Sequence, residues 1–162
     1  MKRLLALALF AAVTALRAAP EYPNHGPDIY DTRVDGNVLI QAAIAKASAE
    51  HKRILLDFGA NWCPWCHLLH GTFESDPTVS ADLTRNFVVV MIDVNTRKGT
   101  KRNAGVNLKY GNPISHGLPV LMVLDADGTA LTTKDSGELE EGDHHSPAKI
   151  DAFLQKWAPP HS

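Results

Sequence analysis

Apolar positions along this chain change their spacing several times, and each change marks an element. Val38, Leu39, Ala42, Ala43, Ile44 and Ala47 recur at three- and four-residue intervals, which predicts a helix over residues 35–52 with Asp35 as its cap. Residues 53–58, Arg-Ile-Leu-Leu-Asp-Phe, are a short, nearly continuous apolar run and read as a buried strand. Gly59-Ala60-Asn61-Trp62 forms a turn into a second helix beginning near Cys63. Ser75-Asp76-Pro77 places a capping side chain before an early helical proline and starts a third helix reaching about Asn86. Residues 87–94 are β-branched and apolar on both faces, the strongest strand signal in the chain.

Residues 95–117 are polar and rich in Gly and Asn, with a helical turn expected near residues 108–110. Pro119 opens a strand over 120–124, and Asp125-Ala126-Asp127-Gly128 is a hairpin turn into a partner strand over 130–133. Residues 134–145 read as a charged loop. Ser146-Pro147 starts a last helix with Ile150, Phe153, Leu154 and Trp157 on one face. A strand joined to the next through helices implies a parallel pair, and the later hairpin adds antiparallel strands. The expectation is an α/β fold, a central mixed sheet flanked by helices.

The first residues belong to a different class. Met1-Lys2-Arg3 is cationic, residues 4–16 are apolar apart from Thr14, and Ala15, Ala18 and Ala19 are small. This is the layout of a secretory signal peptide, expected over residues 1–18, with Val13-Thr14-Ala15 and Leu16-Arg17-Ala18 both offering a cleavage site and the second preferred. Residues 19–34, rich in Pro, Asn, Gly and Asp, read as an extended lead-in, and residues 35–160 as the folded domain. The remainder has no apolar run of the ~20 residues a membrane span needs. The net charge of −2 points to neither nucleic acid nor a membrane surface as partner. The expected location is periplasmic or secreted, with no stable membrane insertion after cleavage.

Export makes the cysteine count informative, because exported chains meet oxidising conditions. There are only two, Cys63 and Cys66. A bridge across so short a loop constrains the unfolded chain little, so a chemical role outweighs a structural one. Residues three apart on a helix share a face, which lets the sulfurs meet. At a helix start the unpaired N–H groups and the dipole favour a thiolate, and such placement lowers a cysteine pKa from about 8.5 to roughly 3.5–7.5. Cys63, nearer the helix start, is the expected nucleophile, and Cys66, one turn deeper, the resolving thiol. Pro64 brings no N–H to the thiolate. Trp65 is expected to shade the pair or contact a substrate.

The run Leu56-Asp57-Phe58-Gly59-Ala60-Asn61-Trp62-Cys63-Pro64-Trp65-Cys66 resembles the active-site segment of the thioredoxin superfamily, and Gly117-Leu118-Pro119-Val120-Leu121 resembles its cis-proline loop. The element order fits from about residue 35 to 158, most closely with exported thioredoxin-like proteins of the Dsb type. The resemblance implies a thioredoxin fold and thiol–disulfide exchange without a cofactor. It also implies protein thiol and disulfide substrates and a redox partner protein in the same compartment. It casts Asp57 as the buried acid serving the inner cysteine and Trp62 as the tryptophan before the nucleophile. It casts Pro119 as a cis-proline that, with Leu118, holds a substrate strand. Pro64-Trp65 departs from the Gly-Pro of ordinary thioredoxin. Residues 95–117 are longer than a thioredoxin needs, and residues 88–92 offer no lysine to pair with Asp57.

Two rival readings use the same cysteines. Cys63, Cys66, His67 and His70, joined by His144 and His145, are suitable copper or zinc ligands for a metal carrier. Cys63-Pro64-Trp65-Cys66-His67 also has the spacing of covalent haem attachment, with Met91 or Met122 as axial ligand.

Overall fold

The computed structural model describes residues 25–160, so the signal peptide expected at 1–18 lies outside the described residues. Helix α1 (Gly36–Glu50) leads into strand β1 (Arg53–Gly59), followed by α2 (Pro64–Ser75), α3 (Pro77–Asn86) and β2 (Phe87–Asp93). A short helix α4 (Ala104–Lys109) precedes the hairpin of β3 (Val120–Leu124) and β4 (Ala130–Asp135). A two-residue pair, β5 (Glu140–Glu141) and β6 (His144–His145), then leads to α5 (Pro147–Lys156). The main sheet has the order β2-β1-β3-β4. β1 runs parallel to β2 and antiparallel to β3, and β3 is antiparallel to β4. This is the expected mixed sheet flanked by helices.

Strand periodicity divides the core. Ile54, Leu56 and Phe58 of β1, with Val88, Val90 and Ile92 of β2 and Val120, Met122 and Leu124 of β3, pack against Ile40, Ala43 and Ala47 of α1. Leu55, Leu121 and Val123 face the other way, onto Leu69 and Phe73 of α2, Val79 and Leu83 of α3, and Ile150, Phe153 and Leu154 of α5. Asp57 stands two residues after Leu55 and so belongs to the α2 side. That alternation puts a carboxyl under the start of α2.

The helix starts follow their caps. Asp35 Oδ1 accepts from the N–H of Asn37 at 2.8 Å. Asp76 closes α2 and opens α3, its Oδ1 accepting from Thr78 N and Val79 N at 3.0 Å each. Pro64, Pro77 and Pro147 each occupy the first helical turn, where a missing N–H costs nothing.

Several expectations need correction. Of the stripe expected on α1, Ala43 and Ala47 are buried and Leu39 and Ile44 pack partly buried against the core, but Val38 is 62% exposed and Ala42 is exposed, while Gly36 and Ile40 join the buried face instead. β2 is a sheet edge, and Val89 on its outer face is 38% exposed. The helix expected at 108–110 begins at Ala104. Ser146 and Pro147 start α5 as expected, with Ser146 making no side-chain capping bond. Residues 134–145 are not a plain loop. They extend β4, make a 3-10 turn at Ser136–Leu139 and form the β5–β6 pair, anchored by buried Leu139 and His145.

Candidate active site

Cys63 is the N-cap residue of α2, with extended φ −87° and ψ 112°. Its Sγ stands where the oxygen of a capping Ser or Asp stands, accepting from the N–H of Cys66 at 3.3 Å. The Cys63 thiol in turn donates to the carbonyl of Leu118 at 3.6 Å. The two cysteines are a dithiol in this structure. Cys66 is 0% exposed and Cys63 4%, so the expected order of depth holds with both sulfurs well covered. Cys63 lies at a cavity of about 390 Å³ walled by Trp62, Pro64, Trp65, Ile114 and Leu118.

The two thiols are pulled apart electrostatically. The Cys66 side chain hydrogen-bonds to Cys63 and, with the Cys66 N–H, holds the Cys63 thiol below its ordinary pKa against the opposing effect of burial. Burial pushes the Cys66 thiol up, and the neighbouring Cys63 and Asp57 add to the rise.

Beneath Cys66 lies a polar floor. Asp57 is fully buried, and burial raises its carboxyl to about 7, moderated by one hydrogen bond. That bond comes from the hydroxyl of Tyr30, which donates to Asp57 Oδ1 at 3.0 Å. Met91 and Leu121 flank Asp57 on the adjacent strands, so the polar partner absent from β2 arrives from the lead-in instead. Asn61 fastens that lead-in: its Oδ1 accepts from the N–H of Ile29 and of Tyr30, at 2.9 and 2.8 Å, and its Nδ2 donates to Tyr30 O at 2.9 Å. Gly59 keeps the floor open, since a Cβ there would sit 2.8 Å from Cys66 Sγ and 2.5 Å from Tyr30 Cζ. Sequence reasoning missed Tyr30 and Asn61; the one signal was an isolated aromatic, one of two tyrosines in the polar lead-in.

The remaining expected residues gather around the pair. The Leu118–Pro119 peptide bond is cis. The Ser136 hydroxyl donates to Pro119 O and ties that loop to the end of β4. The indole N–H of Trp62 donates to Asn95 Oδ1 at 2.8 Å. Trp65 meets His145 edge-to-face, ring centroids 5.3 Å apart, and His145 Nε2 donates to Trp65 O at 3.2 Å. His145 is thus a support for the Pro64-Trp65 turn, a role its polar neighbourhood in sequence did not suggest.

The residues of the two rival readings are dispersed. His67 Nε2 donates to Asn61 O at 2.8 Å, and His70 pairs with Glu74. His144 meets Asp143, while His145 is committed to Trp65. Among the described residues no group of three or more His, Cys, Asp or Glu is placed to hold a metal ion. Met122 is buried within β3, and Met91 packs beside the cysteines from β2.

Comparison with known proteins gives this arrangement its context. A family model described as thioredoxin-like matches residues 39–126. A thioredoxin H-type from Chlamydomonas reinhardtii is 32% identical over 73 residues, 45% of this chain and 62% of that protein. Spermatogenesis-associated protein 20 from Mus musculus is 36% identical over 53 residues, 33% of this chain and 7% of that protein. The chain therefore spans less than two thirds of the length of either relative. A crystal structure of a disulphide isomerase from Xylella fastidiosa Temecula1 superposes with a TM-score of 0.69 at 34% identity, covering 79% of this chain and 95% of the other. The family match covers more than half the sequence and carries the cysteine pair with the strands that support it, and on that ground the chain belongs to the thioredoxin-like family.

Proposed function

We propose that this chain is an exported thiol–disulfide oxidoreductase acting on protein disulfides through Cys63 and Cys66. The observation that carries the reading is the opposed tuning of the pair: Cys63 caps α2 and is favoured as thiolate, while Cys66 one turn inside is held as thiol.

The Cys63 thiolate attacks one sulfur of a substrate disulfide. A Cys63–substrate S–S bond forms, the substrate's own S–S bond breaks, and the departing sulfur leaves with the electron pair and takes up a proton. Cys66 then loses its proton and attacks Cys63 Sγ. The mixed disulfide breaks, the second substrate sulfur leaves as a thiol, and the protein retains a Cys63–Cys66 disulfide. Two electrons have passed to the substrate. The same steps in reverse oxidise a dithiol, and a redox partner protein resets the pair. Asp57, titrating near 7 in the pocket it shares with Cys66, is the group assigned to take the Cys66 proton. Trp62, Pro64, Trp65, Leu118 and Pro119 form the surface against which the substrate strand lies.

The disulphide isomerase relative supports protein disulfides as the substrate class. The cationic and apolar N-terminal segment supports export. No helix among the described residues is long and apolar enough to cross a membrane. The test is reduction of insulin and refolding of a scrambled disulfide protein by wild type and Cys63→Ser. Wild type is expected to be active and the variant inactive; equal activity in the two overturns the reading.

A further inference from the structure

The segment between β2 and the Leu118–Pro119 bond carries a charge that the rest of the chain does not. Five of the chain's 16 Lys and Arg residues, and none of its 18 Asp and Glu, fall between Asn95 and Gly117. Arg97, Lys98, Lys101 and Lys109 are exposed, while Arg102 is half-buried and meets Asp93 at 3.0 Å. Among the described residues no carboxylate pairs with Arg97, Lys98 or Lys101. The overall charge of −2 conceals this strip, because the acid excess lies elsewhere.

The strip is fastened to the redox pair. Asn95 Oδ1 accepts both the Trp62 indole N–H at 2.8 Å and the N–H of Arg97 at 2.9 Å. That shared acceptor sets the Arg97 guanidinium over the Trp62 ring, 3.6 Å from its centroid. A guanidinium stacked on an indole keeps its in-plane N–H donors turned outward, where they fit a carboxylate. Trp62 directly precedes Cys63, so one unpaired cation is held beside the nucleophile.

The shape of the surface follows the charge. Thr96 and Ile114 line the cavity at Cys63, and the same two residues line a second cavity of about 270 Å³ whose wall includes Lys101 and Arg102. A polypeptide engaged at Cys63 therefore has a path past Thr96 and Ile114 into a cavity walled in part by Lys101 and Arg102.

We infer that residues 96–102 are a docking strip for an acidic stretch of the substrate polypeptide beside its disulfide. The inference deepens the oxidoreductase reading and rests on it. A polypeptide fits better than a membrane or a nucleic acid, because the strip is short, joins the cavity of the reacting sulfur, and is surrounded by a chain with excess acid that repels an extended polyanion.

The test uses two disulfide peptides of equal length, one flanked by Glu and Asp and the other by Gln and Asn. Wild type is expected to reduce the acidic peptide with about tenfold higher kcat/KM at low salt, within the range of electrostatic steering. The preference should collapse at about 0.5 M salt, where screening is short-ranged. Lys98→Gln/Lys101→Gln should cut it to about twofold. Equal rates for the two peptides, or a preference untouched by that double substitution, overturn the inference. Tighter binding of anionic phospholipid vesicles or a DNA duplex than of the acidic peptide also overturns it. Reduction of hydroxyethyl disulfide, small and neutral, separates the two levels. If wild type fails there the oxidoreductase reading falls; if it succeeds with no peptide preference, only the docking strip falls.

Discussion

The hydroxyl of Tyr30 donates to Asp57 Oδ1 at 3.0 Å, and the two groups together form the floor under Cys66. It is the one hydrogen bond the carboxyl receives, since Asp57 Oδ2 has no protein partner. Tyr30→Phe removes it and leaves a buried acceptor unsatisfied, which costs about 1–3 kcal/mol. Because the bond favours the carboxylate, its loss moves the Asp57 titration above about 7. Carboxyl carbon NMR across that range, with a denaturant midpoint, reads both effects. An unmoved titration would sink the assignment of Tyr30 as Asp57's partner.

Asp57 also makes stability depend on pH. Its folded pKa of about 7 lies above the ordinary carboxylate value of about 3.9. Between the two, the folded protein keeps a proton that the unfolded chain has released. The contribution is therefore complete below about pH 4 and lost as pH rises through 7, up to about 4 kcal/mol by pH 9. Asp57→Asn keeps an acceptor for Tyr30 without the charge. The variant should match wild type near pH 4 and exceed it at pH 9 in urea denaturation of the reduced protein. No gain at pH 9 would mean that the carboxyl ionises there without penalty.

Cys66 acts on Cys63 before any substrate arrives, because its side chain is the largest influence holding the Cys63 thiol down. Cys66→Ala should therefore raise the pKa of Cys63, read from the pH dependence of alkylation by iodoacetamide. It should also trap mixed disulfides, since the resolving thiol is gone. A Cys63 titration unchanged by Cys66→Ala would contradict the hydrogen-bonded pair.

What could be read from the sequence was what is local. Cys63 and Cys66, the strand before them and the helix after them are one contiguous run from Arg53 to Ser75, and the spacing of the cysteines carries the chemistry. Pro119 was legible through its resemblance to a cis-proline loop. Tyr30 was not, because scattered tyrosines in a polar lead-in have no periodicity. It is drawn in by Asn61, 31 residues away, through three hydrogen bonds to the lead-in backbone. The edge position of β2 was hidden for a related reason: an apolar run reads alike in a central strand and in an edge strand with Val89 half outside. The β5–β6 pair is two residues per strand and polar, too short for an alternation to register.

Gly59 tests how closely the floor is packed. Both Tyr30 Cζ and Cys66 Sγ lie within 3 Å of where its Cβ would be, and neither is the free end of a flexible chain. Gly59→Ala should cost about 1–3 kcal/mol, the usual range for overpacking. Relief requires Tyr30 to leave, so the Asp57 titration should rise as it does in Tyr30→Phe. A variant with wild-type stability and titration would show that the floor yields without losing its hydrogen bond.

His145 opposes Asp57 in sign, and that opposition gives the last test. Burial lowers the His145 pKa from 6.5, its Nε2 is committed to Trp65 O, and its Nδ1 has no protein partner to receive a proton's charge. The folded protein thus keeps His145 neutral where the unfolded chain has begun to bind a proton. Stability from this group is present above about pH 6.5 and lost as pH falls toward the folded pKa. In wild type the two slopes run against each other as pH falls below about 6.5 toward the folded pKa of His145. The Asp57→Asn background removes one of them. There, urea midpoints should fall as pH drops from about 7.5 to 5, and adding His145→Gln should flatten that fall while keeping a donor for Trp65 O. Retention of the fall after His145→Gln would assign the acid sensitivity to another group. A midpoint that does not fall in Asp57→Asn would show that the β5–β6 pair admits the charged imidazole without penalty.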